Sequence, residues 1–149
     1  MRLNSQYVPG RGAKFFVYNN TVDNTSGSSF MFHGYGNDNY LYLKNNIAQN
    51  GVNEYNLDST FENEELASNI SMDATAVGVG ADTNETISFI DTSRDDYRLG
   101  IGETDATGNG VDLSNDPVFP FDTDIMNFVR TQWDIGAFAY QDLTIGPVS

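Results

Sequence analysis

Cysteine is absent from the 149 residues, histidine occurs once, and basic residues number 7 against 21 acidic ones. The first absence excludes disulfide staples, thiolate nucleophiles and cysteine-ligated zinc, without assigning a compartment. The second leaves His33, between Phe32 and Gly34, as the sole imidazole for a Ser-His-Asp triad, and no nucleophile signature adjoins it. The third sets a formal net charge of −14 and a pI near 4.1. Such a surface repels nucleic acid and anionic lipid and favours cations. No apolar run reaches the length of a membrane span, and Met1-Arg2-Leu3-Asn4-Ser5-Gln6 lacks the apolar core of a signal peptide. G-x-S-x-G, H-E-x-x-H, P-loop and dinucleotide fingerprints are missing. Helix-forming stretches are scarce, and Glu62–Ala67 is the one segment expected to wind up briefly.

Asparagine is abundant, and it recurs in a pattern. Asn19-Asn20-Thr21-Val22, Asn45-Asn46-Ile47-Ala48 and Ser68-Asn69-Ile70-Ser71 each follow an apolar or aromatic run and lead into a short one. Asn19 and Asn45 are 26 positions apart, and Asn46 and Asn69 are 23 apart. Repetition at that period marks a stacked-repeat architecture. Asn tolerates left-handed backbone and can bond across rungs through its amide, so Asn19, Asn45, Asn46 and Asn69 are expected to form a structural ladder at one corner. Mean hydropathy of −0.41 and 14 glycines fit a turn-rich, strand-rich chain. The expected organisation is an irregular lead-in over 1–12, coils over 13–94 and a terminal coil with cap over 95–149. Within the coils, Asp58–Glu65 is expected as a polar insertion. Four N-x-S/T triplets begin at Asn19, Asn24, Asn69 and Asn84. Glycosylation at Asn19 or Asn69 would be incompatible with the ladder.

These asparagine corners, with Asp95-Asp96-Tyr97-Arg98-Leu99, Thr104-Asp105-Ala106-Thr107-Gly108, Phe121-Asp122-Thr123-Asp124-Ile125, Arg130 and Trp133-Asp134-Ile135-Gly136-Ala137-Phe138-Ala139-Tyr140, carry a resemblance. The chain resembles the C-terminal region of right-handed parallel β-helix repeat proteins of the pectate-lyase-like superfold. Many of these close with D-Y-R-L, an "AiDaG"-like step, a "tDi-x-G-x-x-R" step and "DIGAyEy". Three departures stand out: Gly102-Glu103 where Ser-Pro is usual, Asn127 near the expected glycine, and Ala139 in place of glutamate. The resemblance implies an all-β, right-handed parallel β-helix of a few coils, closed by an irregular C-terminal cap. Arg130, Trp133, Asp134 and Gly136 are its cap residues. Trp133, Ile135, Phe138 and Tyr140 supply apolar mass to close an open sheet end, and Arg130 can pair with Asp134 or Asp124.

The resemblance also frames function. The leading expectation is the non-catalytic C-terminal part of an exported protein, located outside the cell or at its surface, that binds carbohydrate or a cell-surface glycan. A second is the supporting part of a polysaccharide lyase or glycoside hydrolase whose cleft lies upstream. A third is an adhesin or tailspike-like segment that self-associates through an open N-terminal coil. Tyr42 and Lys44 share a strand face opposite Leu41 and Leu43, an arrangement suited to sugar contact. Asp105, Asn109 and Asp112 place oxygens at short spacing among glycines, a candidate Ca2+ loop that lacks the EF-hand's closing glutamate.

Overall fold

The computed structural model describes residues 13–24, 32–34, 40–57 and 61–141, with backbone only for 32–34 and 62–64. Among them every regular element but one short 3-10 turn is a strand. Parallel sheets are built by taking one strand from each successive stretch of chain. β1 (Lys14–Tyr18), β4 (Tyr40–Lys44) and β7 (Glu62–Ala67) form the first. β2 (Thr21–Asp23), β5 (Ile47–Gln49), β8 (Ile70–Ser71) and β9 (Asp82–Thr83) form the second, and β3 (Phe32–Gly34) pairs with β6 (Tyr55–Leu57) in the third. Each successive set of strands is here called a rung. Phe16 lies opposite Tyr42, Thr21 opposite Ile47, and Ile47 opposite Ile70, so the asparagine spacing is also the pairing register.

The asparagine corner makes that register possible. Asn19, Asn45 and Ser68 adopt φ of 49°, 57° and 48°, the left-handed region that Asn tolerates and β-branched residues do not. Each such residue bends the chain sharply between a strand of the first sheet and one of the second. The inward side chains of β1, β4 and β7 (Val17, Leu41, Leu43, Leu66) meet Val22 and Ala48 of the second sheet and Tyr55 and Leu57 of the third. Buried Tyr55 spans two rungs, its hydroxyl donating to Asn46 O at 2.9 Å and Ile70 O at 3.1 Å.

The third rung departs from expectation. Glu62–Ala67 is β7, paired in parallel with β4, and no helix forms there. Pairing with β4 in a three-stranded sheet with an apolar face overrides the high helix propensity of Glu and Ala, which is worth only tenths of a kcal/mol per residue. The Asp58–Glu65 insertion is accordingly shorter than expected: strand resumes at Glu62, and 58–60 lie outside the described residues. The next turn of chain is tighter, with Ile70 opposite Asp82. An antiparallel pair, β10 (Phe89–Asp91) and β11 (Asp96–Leu99), then precedes a long stretch without strands to residue 141.

That stretch lies along the corners, beside rungs one and two. The outward side chains of the second sheet, Ile47 and Ile70, pack with Ile87, Leu99, Ala106 and Ile135 in a second core. Residues 106–141 therefore act as an arm laid against the stack. Gly136 sits where the arm is closest: its φ is +97°, and a Cβ there would lie 2.7 Å from both Ile47 Cδ1 and Thr21 Oγ1.

Candidate functional site

The corner residues divide into two columns. Asn20, Asn46 and Asn69 form the inner one: Asn20 N and Nδ2 both donate to Asn46 Oδ1 at 3.0 Å. Asn46 N and Nδ2 donate to Asn69 Oδ1 at 3.1 and 2.9 Å. Asn46 and Asn69 are wholly buried. The outer column, Asn19 and Asn45, faces the arm. Asn45 Nδ2 donates to Asn19 Oδ1 at 3.2 Å and exchanges two bonds of 2.8 Å with the backbone of Val111. Asn19 Nδ2 donates to Asp134 O and Gly136 O, each at 3.1 Å. Asn20, absent from the sequence-based set, belongs to the inner column.

Arg130 also serves the arm's carbonyls. Its Nη1 donates to Asp134 O at 3.1 Å, and its Nη2 to Gly136 O and Ala137 O at 3.1 and 3.2 Å. Among the described residues it makes no ion pair with Asp134 or Asp124; burial pushes its pKa down while those two carboxylates hold it up. Trp133 takes the guanidinium over its ring, 5.6 Å from the centroid, and meets Phe121 edge-on at 5.4 Å.

Buried carboxylates account for part of the acidity. Asp134, 1% exposed, accepts from Gly108 N (2.8 Å), Tyr140 N (2.7 Å) and Gln132 Nε2 (3.2 Å). Asp124 accepts from Met126 N, Phe128 N and Ala139 N. Glu103, one of the departures from the resembled ending, accepts from Ser88 N, Asp105 N and Ala106 N. Glu54 accepts from Gly51 N, Met72 N and Asp73 N. Each satisfies backbone donors that the strandless arm and the tight turns leave without ladder partners.

Two of the expected calcium ligands, Asn109 and Asp112, bond within their own loop. Asn109 Nδ2 donates to Thr104 O and Asp105 O at 2.8 and 3.1 Å, while Asp112 Oδ1 accepts from Ser114 N at 2.8 Å. Among the described residues no three His, Cys, Asp or Glu side chains converge on a point that could hold a metal. The side chain of His33 lies outside the described residues, as do Arg2 and Arg11.

Tyr42 and Lys44 belong to an organised surface. On the outward face of the first sheet the register places Lys14 opposite Tyr40, Phe16 opposite Tyr42, and Tyr18 opposite Lys44. Phe16 and Tyr42 stack 4.5 Å apart at 14°. Lys14 Nζ lies 5.9 Å from the Tyr40 centroid and Lys44 Nζ 5.5 Å from that of Tyr18. Phe119 of the arm meets Phe16 edge-on at 4.8 Å. Lys44 is mostly covered: it pairs with Glu65 at 2.8 Å and approaches Asp116 to 3.8 Å. Phe16 and Tyr18 were not singled out from the sequence, although the 26-residue spacing that pairs the asparagines also pairs Phe16 with Tyr42.

Protonation follows from this packing. Burial pushes Asp116 up, but the N–H groups of Phe119 and Val118, Lys44 and the Tyr18 hydroxyl outweigh it, so it titrates below the ordinary range. Asp73 is likewise net lowered, burial being outweighed by Thr75 and the Glu54 N–H. Glu54 shifts the other way: burial dominates its three N–H donors and its pKa rises. Stability drawn from Asp116 and Asp73 is therefore present above the ordinary carboxylate value of ~4 and lost as pH falls through their folded values. Glu54 instead weakens the fold as pH rises from its ordinary value to its raised one. Denaturant midpoints measured against pH should fall on the acid side, and Asp116→Asn should flatten that fall. An unchanged acid limb in Asp116→Asn would contradict this assignment.

No protein-family model matches the chain, and neither a curated protein nor a solved structure matches it significantly. No described helix is long and apolar enough to cross a membrane.

Proposed function

We propose that the chain is a short right-handed parallel β-helix with a non-catalytic, carbohydrate-binding role in an exported or cell-surface protein. The supporting observation is the outward plate of the first sheet. Three cross-rung pairs, Lys14/Tyr40, Phe16/Tyr42 and Tyr18/Lys44, each contain an aromatic ring, and two also bring an ammonium over a ring. Rings on a rigid sheet offer sugar C–H faces a large contact area at little cost in side-chain freedom. Successive outward positions on a strand are ~6.5 Å apart, so the plate extends along the strands as well as across rungs. The net charge of −14 opposes polyanions, so the ligand class is a neutral polysaccharide.

Affinity electrophoresis through gels containing neutral glucan, xylan or mannan, with polygalacturonate as the acidic comparison, tests this. At least one neutral polymer should retard the protein, and Tyr42→Ala should weaken that retention by about tenfold. No retardation by any neutral polymer, or retention indifferent to Tyr42→Ala, would contradict the reading. Turnover of a uronate polymer to unsaturated product by this chain would defeat its non-catalytic part.

A further inference from the structure

The inner asparagine column has a direction. At each step the N–H and Nδ2 of one asparagine donate to the Oδ1 of the next along the chain, Asn20 to Asn46 and Asn46 to Asn69. Each rung therefore turns an acceptor toward the rung before it and donors toward the rung after. The far end is closed. With Ile70 opposite Asp82, the place opposite Asn69 falls to Ala81, which has no side-chain amide and whose N–H donates to Gly78 O at 3.2 Å. At the near end, among the described residues, no group donates to Asn20 Oδ1, and β1 and β2 are edge strands.

A second observation lies beside that edge. The arm reaches the first rung through Ala137 N, which donates to Thr21 Oγ1 at 3.0 Å, and Ile125 N donates to Ala137 O at 3.3 Å. A cavity of about 400 Å³ separates Asn19, Asn20 and Thr21 from Phe121, Ile125 and Arg130. The arm exposes Val118, Phe119, Ile125, Met126, Phe128 and Val129, of which Ile125, 70% exposed, lines this cavity. The turn presenting the last four is pinned: Asp124 accepts from Met126 N and Phe128 N, and its own N–H donates to Phe128 O at 2.8 Å. Where a rung faces the arm, arm and rung bury apolar side chains together, as Ile135 does with Ile47. Exposed apolar side chains concentrated in one short loop mark an interaction site.

We infer that the first-rung edge and the 117–129 loop together form a docking surface for one further β-rung running in the same chain direction. That rung carries asparagine at the ladder position and an apolar residue directly after it. The asparagine supplies the two donors that Asn20 Oδ1 lacks, and the apolar residue takes the place relative to Ile125 that Ile47 takes relative to Ile135. Ladder polarity selects this occupant. A second copy meeting edge to edge would set acceptor against acceptor, and residues 80–83 of a second copy bring Ala81 instead of an amide. Residues 1–12 lack the pattern, since their one asparagine, Asn4, is followed directly by the polar Ser5. The partner is therefore a rung-forming segment of other polypeptide sequence.

Amide chemical shifts of the isotope-labelled full chain, titrated with a synthetic peptide of its own residues 40–49, test this. Saturable shifts are expected at 14–23 and 121–137, and the Asn46→Ala peptide should bind at least about tenfold more weakly. The same peptide joined ahead of Met1 by a flexible linker, at millimolar effective concentration, should slow hydrogen exchange in β1 and β2, and its Asn46→Ala form should not. The inference is overturned by an absence of saturable shifts together with no added protection in the tethered form. It is equally overturned by shifts confined to other surfaces, by equal binding of both peptides, or by binding only after deletion of residues 1–12, which would give the edge to the chain's own lead-in.

Discussion

Asn46→Ala is expected to remove about 5 kcal/mol of stability, enough to unfold a domain whose total is ~5–15 kcal/mol. The wholly buried Asn46 side chain accepts from Asn20 N and Nδ2 and donates to Val17 O (2.8 Å), Lys44 O (3.0 Å) and Asn69 Oδ1 (2.9 Å). Alanine leaves those partners unsatisfied in the corner, at ~1–3 kcal/mol for each group that water cannot reach. Asn46→Asp does not rescue, because it sets a carboxylate oxygen against oxygens that Nδ2 now serves. Asn20→Ala, at the edge and half-buried, should cost only about 1 kcal/mol. Denaturant unfolding measures all three; equal losses at Asn20 and Asn46 would contradict the ladder's interior position.

Asp134→Ala is expected to cost about 3–5 kcal/mol, with its effect concentrated in the arm. The substitution strands the N–H groups of Gly108 and Tyr140 and takes an opposite charge away from Arg130, itself 6% exposed. Without Asp134 the segment that receives Asn19 and Arg130 through its carbonyls is no longer tied to residues 108 and 140. Ile47 and Ile70 then lose the cover that Ala106 and Ile135 provide. Limited proteolysis should cut between residues 106 and 141 faster than in the parent protein, and hydrogen exchange should speed up there before it does in β4. A cleavage pattern like the parent's, at unchanged stability, would show that Asp134 does not hold the arm.

Much of the stack was legible in the sequence because one chemical need repeats. A sharp corner requires a residue that tolerates positive φ, and a buried corner requires a side chain that both donates and accepts; asparagine does both. Its spacing of 26 and 23 therefore matched the strand register. Leu41 and Leu43 against Tyr40 and Tyr42 followed from the two-residue period of a strand. Other features had no local signature. Glu62–Ala67 reads as helix by propensity and becomes strand because β4 offers it an edge. Glu54 carries no local sign of burial, Glu103 reads only as a departure from the resembled ending, and Asp124 and Asp134 read as partners for Arg130. Only the tertiary structure reveals the backbone N–H groups all four serve. The arm was expected at the end of the stack; its place along the corners depends on contacts such as Asn19 with Gly136, 117 residues apart. Asp105, Asn109 and Asp112 are close in sequence, and the bonds that Asn109 and Asp112 make to their own loop have no signature in that spacing.

Side-chain amide cross-relaxation in solution is the most direct test of the parallel stacking on which the whole account rests. The Asn46 Nδ2 protons should show cross-peaks to the amide protons of both Asn20 and Asn69 and exchange slowly with solvent. Asn46 side-chain protons that exchange freely, with no contact to either asparagine, would contradict the stack and the surfaces built upon it.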